Sequence, residues 1–216
     1  LLAGAGAVAT GRRLDTIGPR AVLGVVGWVD LLAPDAPARI RALAANPKLK
    51  GLRPMLQDIA DPDWILQAAL APALQTMSDL GLVLDALIKP VHLPRLLTLA
   101  ARYPALKLVI DHAAKPDIAA GQWEPWASDL AQVASQTQAV CKISGLLTEA
   151  GPKPDPDAAR RWAAHVLQVF GEDRVLWGSD WPVLELAGSY SDWWQASRRL
   201  SAGLSEAGRQ ALYGGT

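Results

Sequence analysis

The strongest constraint on this chain is a repeated alternation. Short, β-branched apolar runs alternate with longer amphipathic segments along almost its whole length. The strand candidates are Val22–Leu31, Gly51–Leu56, Leu82–Ile88, Lys107–Asp111, Ala139–Ser144 and Val175–Ser179. Several are nearly continuous apolar runs, the pattern of parallel strands covered on both faces. Helix candidates fall between them at Asp35–Asn46, Ala73–Leu80, Leu93–Arg102, Pro125–Gln136, Asp155–Phe170 and Asp192–Leu200, with a tail helix at Ser205–Leu212. Pro37 and Pro94 sit in first turns, and Gly81 and Gly171 follow helix ends, where each residue type is suited to the backbone.

Six strand–helix units over Val22–Thr216 use about 32 residues each, against about 31 per unit in an eight-unit barrel of about 250 residues. The fold expected is therefore α/β, an incomplete (β/α)8 barrel with its first strands missing. The rival is an open doubly wound sheet, which also alternates strand and helix. Strand ends favour the barrel. Asp30, Arg53, Asp85, Lys89, His112, Lys142 and Asp180 all lie at or just inside the C-terminal ends of strand candidates. A barrel gathers such ends around one mouth, whereas an open sheet brings a ligand only to its switch point.

Composition narrows the function. Lys plus Arg and Asp plus Glu each total 21, so the net charge is zero. A nucleic-acid binder carries a basic excess, and attraction to anionic membranes needs one too. No apolar run reaches the roughly 20 residues of a membrane span. The single cysteine, Cys141, has no internal partner, which fits a reducing, cytoplasmic setting. The chain opens at Leu1, and Leu1–Ala9 has no basic residues before it, so the expectation is a start partway through a longer protein rather than a signal peptide. Gly4-Ala5-Gly6-Ala7-Val8-Ala9 fits a dinucleotide fingerprint, with Asp30 as its ribose-binding acid. Only three residues precede it, and Gly11, Gly18 and Pro19 interrupt the crossover helix it needs, so this reading is set aside.

Chemistry concentrates in two segments. In Val175-Leu176-Trp177-Gly178-Ser179-Asp180-Trp181-Pro182 a strand ends on an aspartate that faces the mouth. Burial there raises a carboxyl pKa and suits it to proton transfer. In Leu108-Val109-Ile110-Asp111-His112-Ala113-Ala114-Lys115-Pro116 a histidine ends a strand, with Lys115 three residues on. A strand-end histidine can bind a metal or donate to an oxyanion. His92 lies in a strand-to-helix loop, where substrate contact and helix capping compete. Arg53 is a charged strand residue that must find a substrate, a salt-bridge partner or water. Of the tryptophans, Trp28, Trp123, Trp126 and Trp181, one or two can line the mouth and the rest pack. His165 is read as structural, and Cys141 as inert core.

These segments resemble a known family. Gly24-Val25-Val26-Gly27-Trp28-Val29-Asp30-Leu31 and Gly51-Leu52-Arg53-Pro54-Met55-Leu56-Gln57-Asp58, with Asp61-Pro62-Asp63-Trp64, are similar to the amidohydrolase-related sugar lactonases, relatives of pyrone-dicarboxylate lactonase. Lys89–Pro94, Ile110–Pro116, Cys141–Ala150 and Trp177–Pro182 continue the match in order. The resemblance implies a (β/α)8 hydrolase that opens a small-molecule cyclic ester. It implies Asp180 as the residue that activates water and His112 as a neighbour of the metal or the carbonyl. Arg53 and His92 then fall where they line the substrate pocket, with Lys115 and Trp181 as further candidates for substrate contact. Members of the family act with or without a divalent metal, and the intact parent is expected to place one zinc-like metal at a site to which His112 and Asp180 contribute only part of the ligands.

The family's first-strand His-x-His pair does not occur in this sequence. Residues 1–21 are expected to be an unmatched segment before a partial barrel at 22–216. Tight metal binding is not expected of the chain alone, and its open sheet edges are expected to favour self-association. The alternatives are a decarboxylase-type relative and a non-catalytic remnant of the barrel.

Overall fold

The computed structural model describes residues 22–215. The Leu1–Ala9 stretch, its Gly4–Ala9 fingerprint and the 1–21 segment lie outside the described residues. Six strands form: β1 (Val25–Gly27), β2 (Leu49–Leu52), β3 (Val83–Ala86), β4 (Lys107–Ile110), β5 (Val140–Ile143) and β6 (Val175–Trp177). Five fall inside their expected runs but are shorter, because the flanking residues turn to leave the sheet. β2 starts two residues before its expected run Gly51–Leu56 and shares only Gly51 and Leu52 with it, the chain leaving the sheet at Arg53. All pairs are parallel, and the order is β1-β2-β3-β4-β5-β6. A doubly wound sheet reverses its order at a switch point; this one never does. The sheet is an incomplete (β/α)8 barrel with six strands among the described residues.

Helices cover its outer face: α1 (Ala36–Ala44), α2 (Ala71–Asp79), α3 (Leu93–Arg102), α4 (Trp126–Gln136), the short α5 (Leu146–Glu149), α6 (Arg160–Phe170), α7 (Tyr190–Leu200) and α8 (Glu206–Gln210). In α3, Leu93, Leu96 and Leu99 are buried at helical spacing, each contributing roughly 1.5–3 kcal/mol. Pro94 starts this helix, and Arg102 closes it before Pro104. The helix expected from Asp155 begins only at Arg160. Asp155 instead forms a turn, its carboxylate accepting the Asp157 N–H at 2.8 Å and its carbonyl the Ala158 N–H at 2.8 Å.

Burial alternates along the strands. Leu84, Ala86, Leu108, Ile110, Cys141 and Ile143 point outward and are buried under the helices, whereas Val83, Val109, Val140 and Leu176 are half-buried on the inner face. That inner face lines a cavity of about 830 Å³, which also reaches Asp85 and Lys142. The expectation of strands covered on both faces thus holds only for the outer one. Gly51 lets β2 and β3 approach closely, since a Cβ there would lie 2.4 Å from the Val83 carbonyl oxygen. No helix among the described residues is long and apolar enough to cross a membrane.

Candidate active site

Parallel strands deliver their C-terminal ends to one rim, and the polar side chains there form two joined groups. The first is an ion lattice. Asp85 accepts Arg53 at 2.7 Å and 3.0 Å, and the Lys142 ammonium lies 2.8 Å from both of its oxygens. Asp111 lies 2.8 Å from Arg53 and 3.3 Å from Lys142. Two cations therefore face two carboxylates, each carboxylate only 1% exposed. Neither Asp111 oxygen has a well-aligned hydrogen bond, so charge rather than direction holds it. Burial alone would raise the Asp111 pKa, but His112, Lys142 and Arg53 outweigh it and hold the carboxyl below its ordinary value.

The second group centres on His112. The chain leaves β4 in a left-handed turn: φ is 50° at His112, 49° at Ala113, 60° at Ala114 and 51° at Lys115. Each such residue costs roughly 1–2 kcal/mol, so the surroundings must enforce the turn. The Lys115 N–H donates to the His112 carbonyl at 2.8 Å, and the Trp126 indole donates to the Ala113 carbonyl at 2.7 Å. His112 Nε2 stands 3.4 Å from Asp111 and 3.5 Å from Asp180. Its Nδ1 lies 2.8 Å from the Ser144 hydroxyl.

Asp180 follows β6 on a pinned loop. The Trp193 indole of α7 donates to the Gly178 carbonyl at 2.9 Å, and Trp177 donates to Ser197 at 2.7 Å. Asp180 has φ 58°, a conformation that Asp tolerates better than most residues. Burial pushes its pKa up; His112 offsets this in part and Asp111 adds to it, with Lys115 and Arg53 pulling down more weakly. The net direction is upward, which suits a proton acceptor.

The structure thus brings His112 and Asp180 together as the sequence suggests, with Lys115 close enough to act on Asp180. Lys115 also pairs with Glu149 at 3.0 Å. Arg53 is held in the ion lattice. His92 takes the capping role: buried, it accepts the Lys89 N–H on Nδ1 at 3.1 Å. Trp181 stands on the rim, half exposed, its indole donating to Glu185 at 2.9 Å. Asp30 and Lys89, which also follow strand ends, are solvent-exposed. Asp30 instead accepts the Leu32 N–H in a turn at 3.0 Å. The sequence reading passed over Asp111, Ser144, Gly145 and Glu149. An acid and a hydroxyl ending apolar strands were the available signal for the first two.

The metal expected at His112 and Asp180 does not fit the residues present. A catalytic zinc takes about three protein ligands, and the next carboxylate within reach of His112 and Asp180, Asp111, is committed to Arg53 and Lys142. Among the described residues, no group of three or more His, Cys, Asp or Glu is arranged to hold a metal ion.

Comparison with known proteins agrees with the fold. Residues 13–216 match the amidohydrolase family. The chain is 52% identical over 172 residues to an L-fucono-1,5-lactonase of Burkholderia ambifaria, covering 80% of this chain and 59% of that protein. It therefore spans about three fifths of that relative's length. An L-fucono-1,5-lactonase of Burkholderia multivorans is 36% identical over 212 residues, covering 90% of this chain and 70% of that protein. The crystal structure of a Burkholderia multivorans amidohydrolase with bound zinc superposes with a TM-score of 0.85 at 34% identity, covering 95% of this chain and 75% of that one.

Proposed function

The chain belongs to the amidohydrolase family, and we propose that the protein opens a sugar-derived lactone by attack of water, with Asp180 as the general base. One observation carries the reading: a half-buried carboxylate with a raised pKa faces a histidine ring nitrogen across 3.5 Å at the strand-end rim. Two lactonase-named relatives supply the substrate class.

In this reading the attacking water is bound against Asp180, whose raised pKa makes it a stronger base than a free carboxylate. As the water oxygen bonds to the lactone carbonyl carbon, its proton passes to Asp180. The carbonyl oxygen becomes an oxyanion, and the His112 Nε2–H and the Lys115 ammonium stabilise it. The intermediate collapses by breaking the ring C–O bond. Asp180 returns the proton to the departing alkoxide, leaving a hydroxy acid. The ion lattice behind His112 stays charge-balanced throughout and holds the rim in place.

The test is an assay of proton release from sugar 1,5-lactones, run beside carbon dioxide release from aromatic carboxylates. Acid production from a lactone with no carbon dioxide from the carboxylates is the expected result. Carbon dioxide release without lactone opening would overturn the reading in favour of a decarboxylase.

A further inference from the structure

We infer that Ser144 and Gly145 form a seat that fixes the orientation and tautomer of His112, with Ser144 a positioning residue for the reaction. The inference rests on the lactonase reading for its kinetic consequence but not for its geometry.

Start with the protons. His112 Nε2 faces two carboxylates, Asp111 at 3.4 Å and Asp180 at 3.5 Å. Carboxylates accept and do not donate, so Nε2 carries a hydrogen. In the neutral ring, a hydrogen on Nε2 leaves Nδ1 a bare acceptor. The Ser144 hydroxyl, 2.8 Å away, then donates to it. The opposite arrangement places the hydrogen on Nδ1 and points a bare nitrogen at two anions. It also leaves the Ser144 hydroxyl proton without a described acceptor, although this side chain is only 2% exposed. A buried donor left unsatisfied costs roughly 1–3 kcal/mol, so the first arrangement wins.

Gly145 supplies the room. A Cβ at this position would lie 2.7 Å from both Cγ and Nδ1 of His112 and 3.1 Å from an Asp180 oxygen. Its φ of 64° is also left-handed, which favours glycine. One residue therefore fixes the ring by a hydrogen bond and the next by leaving it space. Together they aim the Nε2–H toward the space beside Asp180. The ring nitrogen that makes the outward contact is set by the bond at the other nitrogen, which here is the one to Ser144.

The experiment is heteronuclear NMR of the imidazole nitrogens in mildly alkaline solution, with His112 assigned by the spectrum of His112→Gln. In the parent protein, the expected result is a protonated Nε2 and an unprotonated, hydrogen-bonded Nδ1. In Ser144→Ala, the Nδ1 resonance moves to the position of a nitrogen without a donor, while kcat falls by roughly tenfold or more, as misplacing a catalytic group does, and KM changes little. Ser144→Thr, which keeps the hydroxyl, restores the Nδ1 resonance and most of kcat. A protonated Nδ1 in the parent overturns the inference without any variant. So does an unchanged Nδ1 resonance in folded Ser144→Ala. If Nδ1 moves as expected but the parent opens no lactone, the seat stands and the lactonase reading falls.

Discussion

Replacing Asp85 by Asn removes one of the two anions that balance Arg53 and Lys142. Asp85 is 1% exposed, and it meets Arg53 at 2.7 Å and Lys142 at 2.8 Å. The variant removes one of the two buried carboxylates that both cations meet. Removing one partner of a buried ion pair costs about 3–5 kcal/mol. The low end applies here, because Lys142 keeps 18% exposure and both residues border the open inner cavity. Water there can partly solvate the orphaned cation. A loss of about 3 kcal/mol lowers Tm by roughly 6–12 °C in a domain of this size. The double variant Asp85→Asn/Lys142→Met removes one cation together with the anion, restores the charge count of the lattice, and should recover more than half of the loss. Thermal and urea unfolding followed by circular dichroism measure both. Asp35→Ala serves as a control, because its pair with Arg39 is largely exposed and such pairs contribute little. A single-variant cost below about 1 kcal/mol, or a double variant that loses more than the single one, would refute the charge-balance argument.

Three shorter predictions follow from the same geometry. Gly51→Ala forces a Cβ against the Val83 carbonyl, so overpacking should cost about 1–3 kcal/mol; an unchanged melting temperature would show that β2 and β3 can part freely. Asp111 has a lowered pKa in the folded state, so its stabilising contribution is present above the ordinary carboxylate value and is lost as pH falls through the folded one. Unfolding midpoints across acid pH should therefore fall less steeply in Asp111→Asn, and parallel curves would contradict the assignment. Asp180 shifts the other way: it becomes an ionised base only above a raised pKa, so the acid limb of kcat/KM should lie above the ordinary carboxylate value. A limb at or below that value would sink the proposed role.

Much of the fold was legible because it depends on period and punctuation. Each expected run holds at least part of a strand, and Pro94 and Gly171 mark a helix start and a helix stop. Strand ends were harder to read, since where a chain leaves the sheet depends on its neighbours. Of the site, His112 and Asp180 could be found because each ends an apolar run. The partners could not. Arg53 invites a substrate role in isolation, and only the fold shows Asp85 and Asp111 on either side of it, 32 and 58 residues away in sequence. His92 looked equally suited to substrate or cap until its backbone bond to Lys89 appeared. The left-handed turn at His112–Lys115 carries no glycine, so no local signal announces it. Trp126 and the residues around it enforce it from a distance.

The central claim is that Asp180 removes a proton from water, and Asp180→Asn tests it on one preparation. Asn keeps the shape and accepts the left-handed backbone, but it cannot act as a base. Its pKa direction also fixes the sign of the stability change. A carboxylate whose pKa is raised by burial weakens the folded state once it is ionised, so the amide should melt at or above the parental temperature. Turnover of a sugar 1,5-lactone should fall by roughly a hundredfold or more, with KM little changed. A folded variant that melts at or above the parental temperature and has lost its turnover is the predicted result; a folded variant that turns over at the parental rate would contradict the account.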